Sequence, residues 1–127
     1  MNTIERETLR TLLRKWQAGE LTDLQVYAEA EALWEQFPEV PQFSQDDPRS
    51  INVEVLLNLT LLYQQLITPQ DIPALLAFLD TPPGKEKEGW QKLHDYWDHI
   101  DFEQRRKELL NHPYYSKYPV QKRRGSE

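Results

Sequence analysis

The chain has 127 residues, no cysteine, and 21 acidic against 15 basic residues, for a net charge of −6. That length suits one domain with one core, and its 39% apolar content with four Trp, six Tyr and four Phe argues against intrinsic disorder. The missing cysteines exclude disulfides, thiolate metal sites and cysteine nucleophiles. The first residues carry no apolar run of the signal-peptide kind, and no stretch approaches membrane-spanning length, so a soluble cytoplasmic protein is expected.

Helical periodicity dominates from the start. Thr3 is the expected cap of a first helix running to about Ala18. Leu9, Leu12, Leu13 and Trp16 share one face, with Arg6, Arg10, Arg14 and Gln17 opposite. Gly19 reads as its C-terminal stop. Thr22 followed by Gln25 resembles a capping box, opening a second helix that Pro38 and Pro41 end near Phe37. Val26, Tyr27, Ala30, Leu33, Trp34 and Phe37 make its apolar face, and residues 38–49 are a loop.

Ser50 is the expected cap of a third helix ending near Ile67. Val53, Val55, Leu56, Leu57, Leu59, Leu61, Leu62, Tyr63 and Leu66 cover most of its circumference, which marks a central, buried helix. Only Glu54, Asn58 and Gln65 form a polar stripe. Thr68-Pro69-Gln70-Asp71 reads as a further start, with Pro73 either kinking the chain or opening the regular helix. Thr81-Pro82-Pro83-Gly84 is a break. A fifth helix is expected over 86–99 and a sixth over 102–111, capped by Asp101 and ended by Pro113. The pattern predicts an all-α, single-domain bundle of five or six helices over 1–113, followed by a tail, 114–127, with a basic end at Lys122-Arg123-Arg124.

The densest cluster of chemistry-bearing residues is His94-Asp95-Tyr96-Trp97-Asp98-His99-Ile100-Asp101. On a regular helix, at about 100° per residue, His94 and His99 point about 140° apart and cannot share an ion. His94 with Asp98, and Asp95 with His99, suit surface pairs instead. His94 beside Trp90, Leu93 and Trp97 can equally be a boundary residue. No metal and no cofactor are expected. Gly84-Lys85-Glu86-Lys87-Glu88-Gly89 lacks the order of a phosphate loop, and no serine has a nucleophile-elbow context. No catalytic residue is assigned and no enzyme is expected. Lys117 and Lys122-Arg123-Arg124 beside Tyr114, Tyr115 and Tyr118 are a slender basis for nucleic-acid binding on an acidic body.

One feature points toward a partner. From Trp16 to Pro48 there is no lysine or arginine, and eight acids fall there: Glu20, Asp23, Glu29, Glu31, Glu35, Glu39, Asp46 and Asp47. Glu20, Leu24, Ala28, Glu31 and Glu35 form a face opposite Val26, Leu33 and Phe37. That face is either an ordinary solvated surface or a docking site for a protein with a basic surface. Its field attracts cations and repels nucleic acid and anionic membranes. Glu20, Leu24, Glu31 and Glu35 are therefore the candidate partner-binding residues. The alternative is a helical scaffold or self-associating module whose acids serve solubility alone.

Trp16-Gln17-Ala18-Gly19-Glu20-Leu21-Thr22 leading to Ala30-Glu31-Ala32-Leu33-Trp34, and Leu66-Ile67-Thr68-Pro69-Gln70-Asp71-Ile72-Pro73, resemble small acidic all-helical bacterial proteins of unknown function. Some of these look like immunity proteins of polymorphic or contact-dependent toxin systems. The resemblance implies a helical inhibitor that binds its partner without chemistry. Pro113-Tyr114-Tyr115 is similar to the tyrosine pair of colicin nuclease immunity proteins, but it lies near the end of the chain rather than between helices, so that role is not carried over.

Overall fold

The computed structural model describes residues 5–36, 43–113 and 115. The Thr3 cap, Phe37, Pro38, Glu39, Pro41, Tyr114 and the residues from 116 onward, with the basic end, lie outside the described residues.

Among the described residues the architecture is all-helical. Six α-helices run α1 (Arg6–Gln17), α2 (Asp23–Trp34), α3 (Pro48–Thr60), α4 (Ile72–Leu79), α5 (Glu86–Asp98) and α6 (Phe102–Glu108). A 3-10 turn, Pro69–Asp71, leads into α4. None of these helices is long and apolar enough to cross a membrane.

Local rules set most boundaries. Leu9, Leu12, Leu13 and Trp16 are the buried stripe of α1. Gly19 ends it at φ +78°, with the Glu20 N–H returning to the Lys15 carbonyl at 2.9 Å and the Gly19 N–H to that of Trp16 at 3.1 Å. That is the double closure of a Schellman motif, which needs the left-handed residue glycine supplies. Thr22 and Gln25 form the expected capping box, Asp101 accepts from the Gln104 N–H at 3.0 Å, and Thr68 caps the 3-10 turn. Pro73 lies in the first turn of α4, where its missing N–H costs nothing.

The third helix departs from expectation at both ends. Its cap is Asp47, which accepts from the Arg49 N–H at 2.9 Å, with Pro48 at the first helical position. Ser50 is instead inside α3 and buried, where its Oγ accepts the Trp90 indole N–H at 3.0 Å. The helix stops at Thr60, not Ile67. Residues 61–66 are turns, closed by Leu66 at φ +56° and by an Ile67 N–H bond to the Leu62 carbonyl at 2.8 Å. Leu62, Tyr63, Leu66 and Ile67 are all buried, so this turn faces the core and carries the same apolar pattern a buried helix would. Asn58, read as part of a polar stripe, is 2% exposed, and its Nδ2 has no hydrogen-bond partner among the described residues.

α3 is the hub: α2, α4, α1 and α5 all pack on it. Burying each of its leucines contributes about 1.5–3 kcal/mol. α1 leans on α4 as well. Arg6 and Arg10, expected on a solvated face, reach across to it: Arg6 Nη1 donates to the Thr81 carbonyl at 3.3 Å, and Arg10 pairs with Asp80 and Glu7. α6 ends at Glu108 rather than 111, and packing continues beyond the expected boundary at 113. Tyr115, assigned to the tail, is 2% exposed, and its hydroxyl donates to the Ile67 carbonyl.

Candidate partner-binding surface

The acidic segment divides in two once partners are assigned. Asp23 is structural: its carboxylate accepts the Trp16 indole N–H at 2.7 Å, and His112 lies 3.3 Å away. Because the Tyr115 N–H points at His112 Nδ1, the ring offers its Nε2–H to Asp23. Asp47 caps α3 and pairs with Arg49 at 2.7 Å, and its carboxyl is held below the usual range by hydrogen bonds from the Arg49 side chain and backbone. Asp46 lies 3.5 Å from Lys87. Cations and donors from outside the segment thus reach three of its eight acids, which a reading of the segment alone missed. Glu39 lies outside the described residues.

The other four, Glu20, Glu29, Glu31 and Glu35, have no ion-pair partner among the described residues. Leu24, Ala28, Glu31 and Glu35 follow one another at steps of four, three and four, so they line one stripe of α2 and its C-cap. Leu24 is 42% exposed. Glu35 and Ala28 are exposed, and Glu31 is half-buried. Glu20 is exposed but sits in the turn before α2, so it borders the stripe rather than extending it along the helix. α2 carries no basic residue in its last turn. Two acids therefore stand at its negative dipole end, a placement that opposes helix stability.

A second element lies beside this stripe. α2 packs chiefly on α3, and it meets α1 only lightly. An open groove of about 560 Å³ separates the two helices, with Leu12, Ala32 and Leu33 along it and Glu7, Lys15, Glu29 and Gln36 at its rims. Sequence periodicity gave no sign of it, because it is produced by how far two helices stand apart.

The residues from His94 to Asp101 turn to separate partners. His94 stacks near Trp90, with centroids 6.1 Å apart, and makes no ion pair with Asp98. His99 caps α5, its Nδ1 2.6 Å from the Asp95 carbonyl rather than the Asp95 carboxylate, which instead accepts from Gln91. Among the described residues no group of three or more His, Asp or Glu is placed to hold a metal ion. Glu86 turns back to accept the Gly84 N–H at 3.1 Å, so the Gly84–Gly89 segment is a helix start.

One ion pair has both side chains buried, and neither charge pattern nor spacing revealed it. Arg105 of α6 donates to Asp71 at 2.8 Å and to the Leu66 carbonyl at 3.1 Å, while Asp71 also accepts from the Thr68 N–H and the Tyr96 hydroxyl. Both carboxylate oxygens of Asp71 are thereby engaged, so this is a clamp within the fold and not an open site. Compared with protein-family models, curated proteins and solved structures, the chain matches none.

Proposed function

We propose that this chain is a non-enzymatic binding protein, of inhibitor or immunity type, that presents the acidic stripe of α2 to a basic surface on another protein. The observation that carries this reading is the division of the acids. Those that serve the fold have partners, whereas Glu20, Glu29, Glu31 and Glu35 have none among the described residues. Unpaired acids crowded at the wrong end of a helix dipole lower stability. They are worth keeping where a cationic surface docks. Leu24, exposed in the same stripe, supplies an apolar contact that charge alone lacks.

The test is capture of partners from the source cell's lysate on immobilised protein at low and high salt, followed by association rates for the identified partner. Wild type should show rates that fall steeply with salt, and Glu31→Lys with Glu35→Lys should lower them at low salt. Equal rates for both proteins and a flat salt dependence would leave the stripe an ordinary solvated face, and would favour the scaffold reading.

A further inference from the structure

We infer that the groove between α1 and α2 is a seat for one amphipathic helix of a partner protein, with an apolar stripe directed inward and lysine or arginine along the edge that faces α2. The inference deepens the basic-partner reading above and rests on it.

Three observations converge on that occupant. The first is shape. The α1 wall is a helical stripe, Thr8, Thr11, Leu12 and Lys15, and the α2 wall answers with Ala32 and Leu33. From residue 7 to 15 the wall is about 12 Å long at ~1.5 Å per residue, roughly two turns of a docked helix. The groove is open to solvent, whereas pockets for small ligands enclose most of the ligand's surface. A trough of this form, with Leu12, Ala32 and Leu33 between threonines and charged rims, suits an amphipathic helix laid lengthwise.

The second is why it stays open. α1 packs mainly on α4 and α3, and α2 mainly on α3, so the two helices meet each other only in part, as where the Trp16 indole bonds Asp23. Thr8, Thr11 and Ala32 are left exposed, and Leu33 half-covered.

The third is charge. Glu29 stands on the α2 rim without an ion-pair partner among the described residues, and the acidic stripe of Glu31 and Glu35 continues the negative field on the adjoining face. Lys15, likewise without an ion-pair partner among the described residues, lies toward the α1–α2 turn. A bound helix whose cations face Glu29, and whose C-terminal carbonyls approach Lys15, matches both.

The probe is a fluorescein-labelled synthetic peptide of about four helical turns, leucine on one face and lysine on the other. A scrambled peptide of identical composition, without the stripe, is the control. Binding is followed by anisotropy and mapped by backbone amide chemical shifts in the intact protein. The groove is blocked with Thr11→Arg and Ala32→Arg, both at exposed positions, with the unfolding midpoint measured alongside. The expected result is that shifts centre on Thr8, Thr11, Ala32 and Gln36, that the scrambled peptide binds much more weakly, and that the blocked variant loses affinity by about tenfold or more. Blocking that lowers affinity while the midpoint holds supports the seat even if Glu31→Lys with Glu35→Lys has no effect, in which case the acidic-stripe reading alone fails. Affinity lost in that charge variant but kept in the blocked one overturns the groove and leaves the stripe. Equal binding of the scrambled peptide, or no binding, overturns the inference. So does a dimer of this chain that the blocking substitutions dissociate, because the occupant is then a second copy.

Discussion

Arg105 and Asp71 meet at 2.8 Å across 34 positions of sequence, and the Asp71 side chain is 0% exposed. The pair ties α6 to the start of α4, and Tyr96 of α5 completes it by donating to the same carboxylate. Removing one partner strands the other charge away from water. Arg105→Met should therefore cost about 3–5 kcal/mol, whereas Tyr96→Phe should cost about 0.5–1.5 kcal/mol, near the net value of a single hydrogen bond. Urea unfolding of each variant and of the double variant checks this, and the double should cost less than the sum. A loss under 1 kcal/mol for Arg105→Met would show that the pair is solvated.

Alkaline pH should unfold the protein through two phenols. Burial, then the bond to Asp71, pushes Tyr96 up to about 12, and burial followed by the Asp23 charge raises Tyr115 as well. In the unfolded chain both ionise near 10, so between roughly pH 10 and 12 the unfolded state holds fewer protons than the folded one. Their contribution is complete below pH 10 and falls as pH rises from there, that of Tyr96 being lost by about 12 and that of Tyr115 still falling beyond it. The urea midpoint should fall across it, and Tyr96→Phe and Tyr115→Phe should each flatten the fall. An unchanged slope in both variants would mean that other groups govern alkaline unfolding.

Gly89 lies inside α5, where alanine ordinarily gains about 1 kcal/mol of helix propensity. Here the sign should reverse. A Cβ at Gly89 would run into the Thr81 side chain, coming within 2.8 Å of Cγ2 and closer still to Oγ1. That hydroxyl is pinned by its bond to the Phe78 carbonyl at 2.6 Å. Gly89→Ala should lose about 1–3 kcal/mol, and adding Thr81→Ala should recover part of it. Calorimetric midpoints of the single and double variants decide the matter.

Glu31→Lys and Glu35→Lys should each raise stability by about 0.3–1 kcal/mol, because lysine complements the C-terminal end of the α2 dipole. Neither acid surrenders an ion pair among the described residues. A fall in the thermal midpoint of either variant would show that the carboxylate holds the fold together.

Features governed by near neighbours could be read from the chain. Gly19, the Thr22–Gln25 box, the Thr68-Pro69 start and the Asp101 cap depend on groups three to five residues apart, and each stands where the pattern put it. The cap of α3 failed narrowly, since Asp47-Pro48 and Ser50 are both credible caps and the choice fell to Trp90, forty positions away. Its C-terminal end failed because a buried turn at 61–66 and a buried helix carry the same leucines. Of the candidate surface, Leu24, Glu31 and Glu35 keep the helical stripe expected of them. The roles of Asp23 and Asp47 were hidden because His112 and Arg49 lie outside the acidic segment and because Asp47 also caps α3. Tyr115 was misassigned because proline, lysine and tyrosine around it compose like a tail, while its burial depends on Tyr63 and Ile67.

The joining of Asp23 to His112 has a consequence for biosynthesis. The helix cap region that binds the Trp16 indole is written in the first fifth of the chain, yet its second partner, and the Tyr115 ring set edge-on against Tyr63 at 4.9 Å, are translated last among the described residues. A nascent chain with α1 to α5 complete still shows water the side of Tyr63 that Tyr115 will cover. It also holds Asp71 without its arginine. Assembly of the described residues therefore includes a late closing step of long sequence separation, the slow kind, before which the emerging helices are exposed to proteases and to chaperones.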